Sequence, residues 1–306
     1  MIPANNKSKK VAIIGLGLIG GSLAKALKRA GYKVVGIDKD LETLKAAKKS
    51  NIIISDFTEA NKKSLTDVDI VFICTPLSLI SAYLKKISKL TLKKEIIITD
   101  VGSTKFEICN YAAKLSPPSK LISGRDLPRP YICFIGGHPM AGTEKIGFQY
   151  SKEDLFKDCI WVLTPTADDK RTKHALNKLK KTILKLKANP IITSPDEHDK
   201  AAAIISHFPL LVSLGLCQIV KNVKDKKLKN LVVKMASSGF KDMTRIAGGN
   251  TMLSSEILRS NRNEVKKILP NYILELNKLL KSSNISNKLK KEILEISKWR
   301  SKLICK

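Results

Sequence analysis

The sequence predicts an α/β protein. A Rossmann-type, doubly wound and mostly parallel sheet should occupy residues 1–193, and an all-helical domain residues 194–306. Three observations carry this expectation. The stretch Val11-Ala-Ile-Ile-Gly-Leu-Gly-Leu-Ile-Gly-Gly-Ser22 runs an apolar, β-branched segment into a glycine-rich turn. Short apolar runs then alternate with amphipathic helical ones as far as about residue 193. Beyond Ser194-Pro195 the strand signal stops and only helical periodicity remains.

The first run is the most informative. It enters a G-x-G-x-x-G turn at Gly15, Gly17 and Gly20, with Leu18 and Ile19 inside it. A helix follows, with Leu23, Ala26, Leu27 and Ala30 on one face and Lys25, Lys28 and Arg29 on the other. A second apolar run, Lys33–Ile37, ends at Asp38. Strand, glycine turn, helix, strand and acidic residue together form a dinucleotide-binding fingerprint. Gly15 permits the tight turn, Gly17 lets a pyrophosphate approach the backbone, and Gly20 lets helix and strand pack closely. The phosphates would sit on free N–H groups at the helix N-terminus. Asp38, about twenty residues beyond the turn, would accept hydrogen bonds from ribose hydroxyls and repel a 2′-phosphate. This predicts NAD, with NADP possible because Lys33 and Lys39 lie near the carboxylate.

The remaining elements follow in order. Leu41–Ser50 reads as a helix and Val68–Cys74 as a buried strand ending at Thr75-Pro76, a loop at the sheet's carboxyl edge where such sheets bind ligands. A helix at Leu79–Leu90 leads to a strand at Glu95–Asp100, and then to Asp100-Val-Gly-Ser-Thr-Lys105. Ser116–Pro130, rich in Pro, Ser and Arg, reads as an inserted loop. The strand starting at Ile132 enters a turn carrying His138, and two more strands, Cys159–Thr164 and Ala188–Thr193, flank a lysine-rich helix at Arg171–Lys187. Helices are expected at Asp196–Val220, Leu228–Ser237, Ser254–Lys267, Pro270–Leu280 and Asn287–Leu303. So much apolar helical surface calls for a partner, which predicts a homodimer through the helical domain.

Composition narrows the function classes. The 306 residues are 43% hydrophobic and 27% charged, with 56 Lys plus Arg against 27 Asp plus Glu, a formal +29. Such a field attracts anions of every kind. The lysines are spread over solvated helix faces, however, and aromatics make up only 5%, so stacking platforms for nucleic acid are not evident. Lys7–Lys10 followed by Val11–Gly21 resembles a secretory signal, but the nucleotide turn accounts for the same residues. Ala201–Val220 has no charged residue, yet Ser206, His207, Pro209, Ser213 and Gln218 suit a buried helix better than a membrane span. The chain reads as cytoplasmic. Its six cysteines show no C-x-x-C or metal-like spacing, so neither a disulfide framework nor a metal site is expected.

Several residues are candidates for chemistry. His138 follows two glycines at a strand end, and a neutral imidazole is suited to accept a proton near pH 7. Ser103 can hydrogen-bond a substrate hydroxyl, or simply cap the helix after it. Lys105 is a candidate anion contact. Ala236–Asn250 should interrupt the helical domain with small residues while presenting Lys241, Asp242, Thr244, Arg245 and Asn250. The planar fork of Arg245 suits a carboxylate, against an ion pair with Asp242 as the structural alternative. His207, in Ser206-His-Phe-Pro209, either faces the cleft or is a satisfied core histidine.

These blocks resemble the prephenate and arogenate dehydrogenases of tyrosine biosynthesis. The matching motifs are Gly15–Gly20, Phe72-Ile-Cys-Thr-Pro76, Asp100–Lys105, Gly136-Gly-His-Pro-Met-Ala-Gly142, Ser206–Pro209 and Ala236–Asn250, in family order over nearly the whole chain. The resemblance implies hydride transfer from a cyclohexadienol carbon to a nicotinamide, coupled to loss of CO₂. It makes His138 the catalytic histidine, Ser103 its partner at the ring hydroxyl, and Arg245 the carboxylate-binding residue. His207, Thr143 and Lys241 fall on the substrate side, and Gly15, Gly17, Leu18, Ile19, Gly20, Asp38, Thr75 and Pro76 on the cofactor side. Many prephenate-using members carry a second histidine where this chain has Leu210, so the motifs look closer to arogenate-using, cyanobacterial-type members. Other readings of the residues are a different two-domain dehydrogenase acting on a hydroxy acid, or a non-catalytic nucleotide- or nucleic-acid-binding protein.

Overall fold

The computed structural model describes residues 9–92, 95–115, 132–282 and 286–304. The Pro- and Ser-rich stretch expected as a loop at 116–130 lies outside them, as does Cys305. By their internal contacts the residues form two compact units that divide after Asn261.

The first unit is built on β1 (Lys10–Ile14), α1 (Leu18–Arg29), β2 (Lys33–Ile37), α2 (Leu41–Lys49), β3 (Ser55–Phe57), β4 (Ile70–Ile73), α3 (Leu77–Ser88), β5 (Ile96–Asp100) and α4 (Phe106–Leu115). It continues with β6 (Ile132–Pro139), β7 (Ile160–Pro165), α5 (Lys170–Lys185) and β8 (Asn189–Ile192). The eight strands lie in the order β3-β2-β1-β4-β5-β6-β7-β8. All neighbouring pairs are parallel except β6 with β7. Chain order reverses between β1 and β4, so the ligand crevice of such a sheet falls at their carboxyl ends.

Both faces of the sheet are covered, as the near-continuous apolar strands require. Val11 and Ile13 of β1 pack into a core with Leu23 and Leu27 of α1 and Phe72 of β4. The alternate residues Ala12 and Ile14 pack on the other face with Val71, Ile73, Ile80 and Leu84. Leu23 and Leu27 are fully buried. Truncating either to alanine is expected to cost about 2–5 kcal/mol. The three-residue β3 is too short and too polar to announce itself in the sequence.

The sheet is followed by α6 (Pro195–Ala202), one turn of π-helix (Ala203–His207), α7 (Phe208–Lys221), α8 (Lys226–Met235), α9 (Ser238–Thr244), a 3₁₀ turn (Arg245–Gly248) and α10 (Thr251–Ser260). A capping box starts α6: Ser194 Oγ accepts from Glu197 N–H, and the Glu197 carboxylate accepts from Ser194 N–H. Pro209 has no N–H to return to the preceding turn, and that turn widens to π geometry. By length and composition Pro195–Lys221 would suffice to cross a bilayer. It is nevertheless less buried in the single chain than its sequence suggested: Ile204, Ile205 and Ile219 are more than 60% exposed. The expected break at 236–250 is instead a short helix and a 3₁₀ turn.

The second unit is a helical pair, α11 (Arg262–Ser282) and α12 (Ser286–Ile304). The two helices expected at 254–267 and 270–280 are partitioned differently, because α11 runs through Pro270 without ending. Both units expose apolar side chains in the single chain, among them Leu231, Val233 and Met235 in the first and Leu280, Ile293 and Trp299 in the second.

Candidate active site

The glycine turn follows β1 at the sheet's carboxyl edge, and each glycine meets a distinct physical demand. Gly15 has φ +91°, and a Cβ there would fall 2.8 Å from the Cys74 carbonyl oxygen. A Cβ on Gly20 would fall 1.8 Å from the Gly15 carbonyl oxygen, so helix and turn can touch only through glycine. Gly17 has open space where its Cβ would be, which is the access a pyrophosphate needs. Asp38 is half-buried beside the turn. Its Oδ2 accepts from Leu16 N–H at 2.6 Å and its Oδ1 from Asp40 N–H at 2.9 Å, so the carboxylate is held at the end of β2. These residues fit a dinucleotide.

A cavity of about 340 Å³ opens from this turn and is lined by Gly17, Leu18, Ile19, Thr75, Pro76, Ser103, His138 and Thr143. Glu256 of α10 closes one side. Its carboxylate accepts from Leu77 N–H at 3.0 Å, Ser78 N–H at 3.3 Å and the Ser78 hydroxyl, capping α3. A second cavity of about 330 Å³ is lined by Ser103, His138, Met140, Ser206, His207 and Ile257. Ser103 and His138 face both.

His138 lies within β6 rather than on a turn beyond it, because β6 runs to Pro139 and pairs with β7 through His138 opposite Val162. Its ring is part of a hydrogen-bonded chain. His138 Nδ1 is 2.8 Å from His198 Nε2, and His198 Nδ1 is 2.7 Å from Asp199 Oδ1. A carboxylate only accepts, so His198 donates through Nδ1–H. The lone pair left on Nε2 of a neutral His198 then takes the Nδ1–H of His138. That tautomer leaves His138 Nε2 as a free base, with no hydrogen-bond partner among the described residues. Burial, and then His198, Lys105 and His207, push the His138 pKa well below its ordinary value, so the ring stays neutral near pH 7.

Asp199 is itself fixed, accepting from Lys105 N–H at 2.7 Å and Phe106 N–H at 3.0 Å at the start of α4. This carboxylate takes the capping role that the sequence left open for Ser103. His207 is buried, and Asn261 decides its tautomer. Asn261 Nδ2 donates to the Asp199 carbonyl at 2.7 Å and to His207 Nδ1 at 3.0 Å, so the remaining hydrogen of His207 is on Nε2. Burial is the main cause that pushes its pKa down to about 4.

Other expected residues fall elsewhere. Lys105 is no anion contact, because it is fully buried and ion-paired with Asp100. Arg245 and Lys241 are exposed and line neither cavity, and no Arg245–Asp242 ion pair is found among the described residues. Gly15 and Gly20 shape the turn without lining the cavity. Sequence reasoning missed His198, Asp199 and Glu256. Ser194–Glu197 has the pattern of a capping box and could have marked the start of α6, but nothing local ties its next two residues to His138.

A dinucleotide turn opening on a cavity with a buried neutral histidine fits a nicotinamide-dependent dehydrogenase. Comparisons with known proteins specify which. The model of the prephenate dehydrogenase nucleotide-binding domain matches residues 23–192, and that of the prephenate dehydrogenase dimerization domain matches residues 194–298. The chain belongs to the prephenate dehydrogenase family. It is 34% identical to a prephenate dehydrogenase of Bacillus subtilis over 277 residues, 90% of this chain and 70% of that protein. The crystal structure of Synechocystis arogenate dehydrogenase is 31% identical with a TM-score of 0.79, covering 96% of this chain and all of that one. An Aquifex aeolicus prephenate dehydrogenase, solved with hydroxyphenyl propionate and NAD+, is 27% identical with a TM-score of 0.83, covering 98% and 100%.

Proposed function

We propose that this protein catalyses the NAD-dependent oxidative decarboxylation of prephenate, arogenate or both, in tyrosine biosynthesis. The observation that carries the reading is the His138–His198–Asp199 chain, which presents a free imidazole nitrogen in the same cavity as the glycine turn.

His138 Nε2 takes the proton of the ring hydroxyl, with Ser103 hydrogen-bonding the same oxygen. Electron density moves from that oxygen toward its carbon, and the hydride leaves. The nicotinamide, when bound, supplies the hydride acceptor. The bond from the ring to its carboxylate breaks, its electron pair enters the ring, and CO₂ departs. Aromatisation drives the step, and the proton returns from His138 to the phenolate oxygen. His207 donates Nε2–H to an acceptor atom of the substrate, and Thr143 contacts its carboxylates from the cavity wall. Arg245 and Lys241 are the cations assigned to them from a segment that lines neither cavity in the single chain.

Gly15, Gly17, Leu18, Ile19, Gly20, Thr75 and Pro76 hold the dinucleotide, and Asp38 selects NAD over NADP. The boundary between nucleotide-binding and helical domains falls at 193/194, although by internal contacts residues 194–261 belong to the same compact unit as the sheet. The helical domain forms a cytoplasmic homodimer through its exposed apolar faces. The family models, which meet at 192 and 194, support this division.

The test follows NADH or NADPH formation with prephenate and arogenate separately. Turnover of at least one substrate with NAD is expected, and folded protein inert toward both would overturn the reading. Asp38→Ser should lower the NAD-over-NADP preference by about tenfold or more, through loss of a carboxylate worth roughly 1.5–3 kcal/mol in charged hydrogen bonds.

A further inference from the structure

Beneath Ser103 and His138 lies a fully buried ion pair that the proposed chemistry does not use. Asp100, the last residue of β5, and Lys105, just before α4, are both 0% exposed and bonded to each other. A buried pair of this kind is weak evidence of a stabilising role, since replacing it by well-packed apolar residues is often neutral or stabilising.

The other bonds of Asp100 show what the pair reaches. Oδ2 also accepts from Gly102 N–H at 2.8 Å, and Oδ1 accepts from Gly137 N–H at 3.0 Å. Gly102 directly precedes Ser103, and Gly137 directly precedes His138. One carboxylate therefore grips the backbone on the near side of both residues, just beyond β5 and within β6.

The glycines are shaped by this contact. A Cβ on Gly137 would lie 2.5 Å from the Asp100 carbonyl oxygen, and one on Gly102 would lie 2.8 Å from Asp100 Oδ2. A Cβ on Gly136 would meet the Thr164 hydroxyl oxygen at 2.2 Å and the Lys105 stem at 3.1 Å. The Gly136-Gly137 pair lets β6 pass directly over the ion pair. The same lysine's backbone N–H donates to Asp199, closing a loop of hydrogen bonds through Asp199, His198 and His138.

We propose that Asp100 and Lys105 are positioning residues that fix Ser103 and His138 in mutual register by clamping the backbones of Gly102 and Gly137. The proposal rests on the reading of Ser103 and His138 as the reacting pair. Lys105 pairs with Asp100 and aims it, and Asp100 spends both oxygens on the two glycine N–H groups. An asparagine at 100 has one acceptor oxygen and can hold only one of the two glycines. Charge around the imidazole comes from Lys105 beneath it, His198 and Asp199 of α6, and His207 of the π turn.

The test is the double variant Asp100→Asn/Lys105→Met, which removes both charges together and leaves no uncompensated ion. It should melt close to the unsubstituted protein and bind NAD within about threefold, while kcat falls by 30-fold or more with KM for the substrate nearly unchanged. The acid limb of kcat/KM should also move, because without the clamp on Gly137 the ring of His138 no longer sits in the same register against His198. A folded double variant with undiminished kcat and an unmoved limb overturns the clamp. If the double variant does not fold, Gly102→Ala decides, since its methyl group presses on the Asp100 Oδ2 contact and, besides it, on the terminal methyl groups of Leu77 and Ile80. It should fold and lose most of its kcat, and undiminished kcat overturns the proposal. The chain has only four histidines, so the His138 resonance can be titrated by NMR without any substrate. An unmoved His138 titration in the double variant defeats the clamp even if both substrates prove inert. Inert substrates with a shifted titration defeat the functional reading alone.

Discussion

Two regions carry the polar residues that the proposed reaction needs, and they are built in opposite ways. At the sheet's carboxyl edge, His138 and Ser103 sit over buried, mutually satisfied partners: His198, Asp199, Asp100 and Lys105. In the segment 236–250, Arg245 and Lys241 stand exposed on a short helix and a 3₁₀ turn with no buried residue of their own. The edge is organised within one chain by a network whose members cost several kcal/mol to strip of partners. The exposed segment has no such network. In the proposed reaction, then, the base and its tautomer are set by buried partners, whereas Arg245 and Lys241, proposed for the carboxylates, have no buried partners to hold them.

The largest expected effect tests the edge. His138→Asn removes the base and should lower kcat by roughly 10³-fold, within the range general-base catalysis supplies, with NAD affinity unchanged. An active variant would remove His138 from the chemistry. Next comes the chain behind it. His198→Leu leaves His138 Nδ1–H without its acceptor and frees the ring to adopt the other tautomer. A loss of about 10²-fold in kcat, with little change in KM, is expected. Equal loss in kcat and in NAD binding would instead mark His198 as a merely structural residue.

The exposed segment should respond differently. Arg245→Ala is expected to raise KM by about 10–100-fold while kcat changes little, the signature of lost ground-state binding. Lys241→Ala should raise KM less, since an ammonium lacks the two-pronged fork. A fall in kcat with unchanged KM for Arg245→Ala would erase the contrast between the two regions.

The same contrast explains what could be read from the chain. The glycine turn was legible because each glycine answers a local demand: the φ of Gly15, the contact at Gly20, the space at Gly17. His138 stood out beside two glycines at a strand end. His198 did not, because it meets His138 across 60 residues of sequence and sits on a short helix whose pattern announces only its cap. Asp100 was inside a recognised block, yet it acts through backbone N–H groups, which no residue pattern records. Lys105 was misread for the opposite reason, since in a chain of 56 basic residues nothing distinguishes a buried one.

The smallest effect concerns acid. His207 is held neutral in the fold with a pKa of about 4, against 6.5 for a free imidazole. The unfolded chain therefore binds the extra proton first, and stability present above pH 6.5 is lost as pH falls through 6.5 toward 4. At pH 4.5 the loss from this group is roughly 2–3 kcal/mol, and His138 adds in the same direction. His207→Gln removes the titration, so the drop in Tm between pH 7 and pH 4.5 should shrink by roughly 5 °C relative to the unsubstituted protein. Carboxylates protonate alike in both proteins and cancel in the comparison. Arg245→Ala, in the exposed segment, should leave that drop unchanged. If both variants retain the full acid sensitivity, His207 is not the buried neutral donor described, and its Nε2–H cannot be assigned to the substrate.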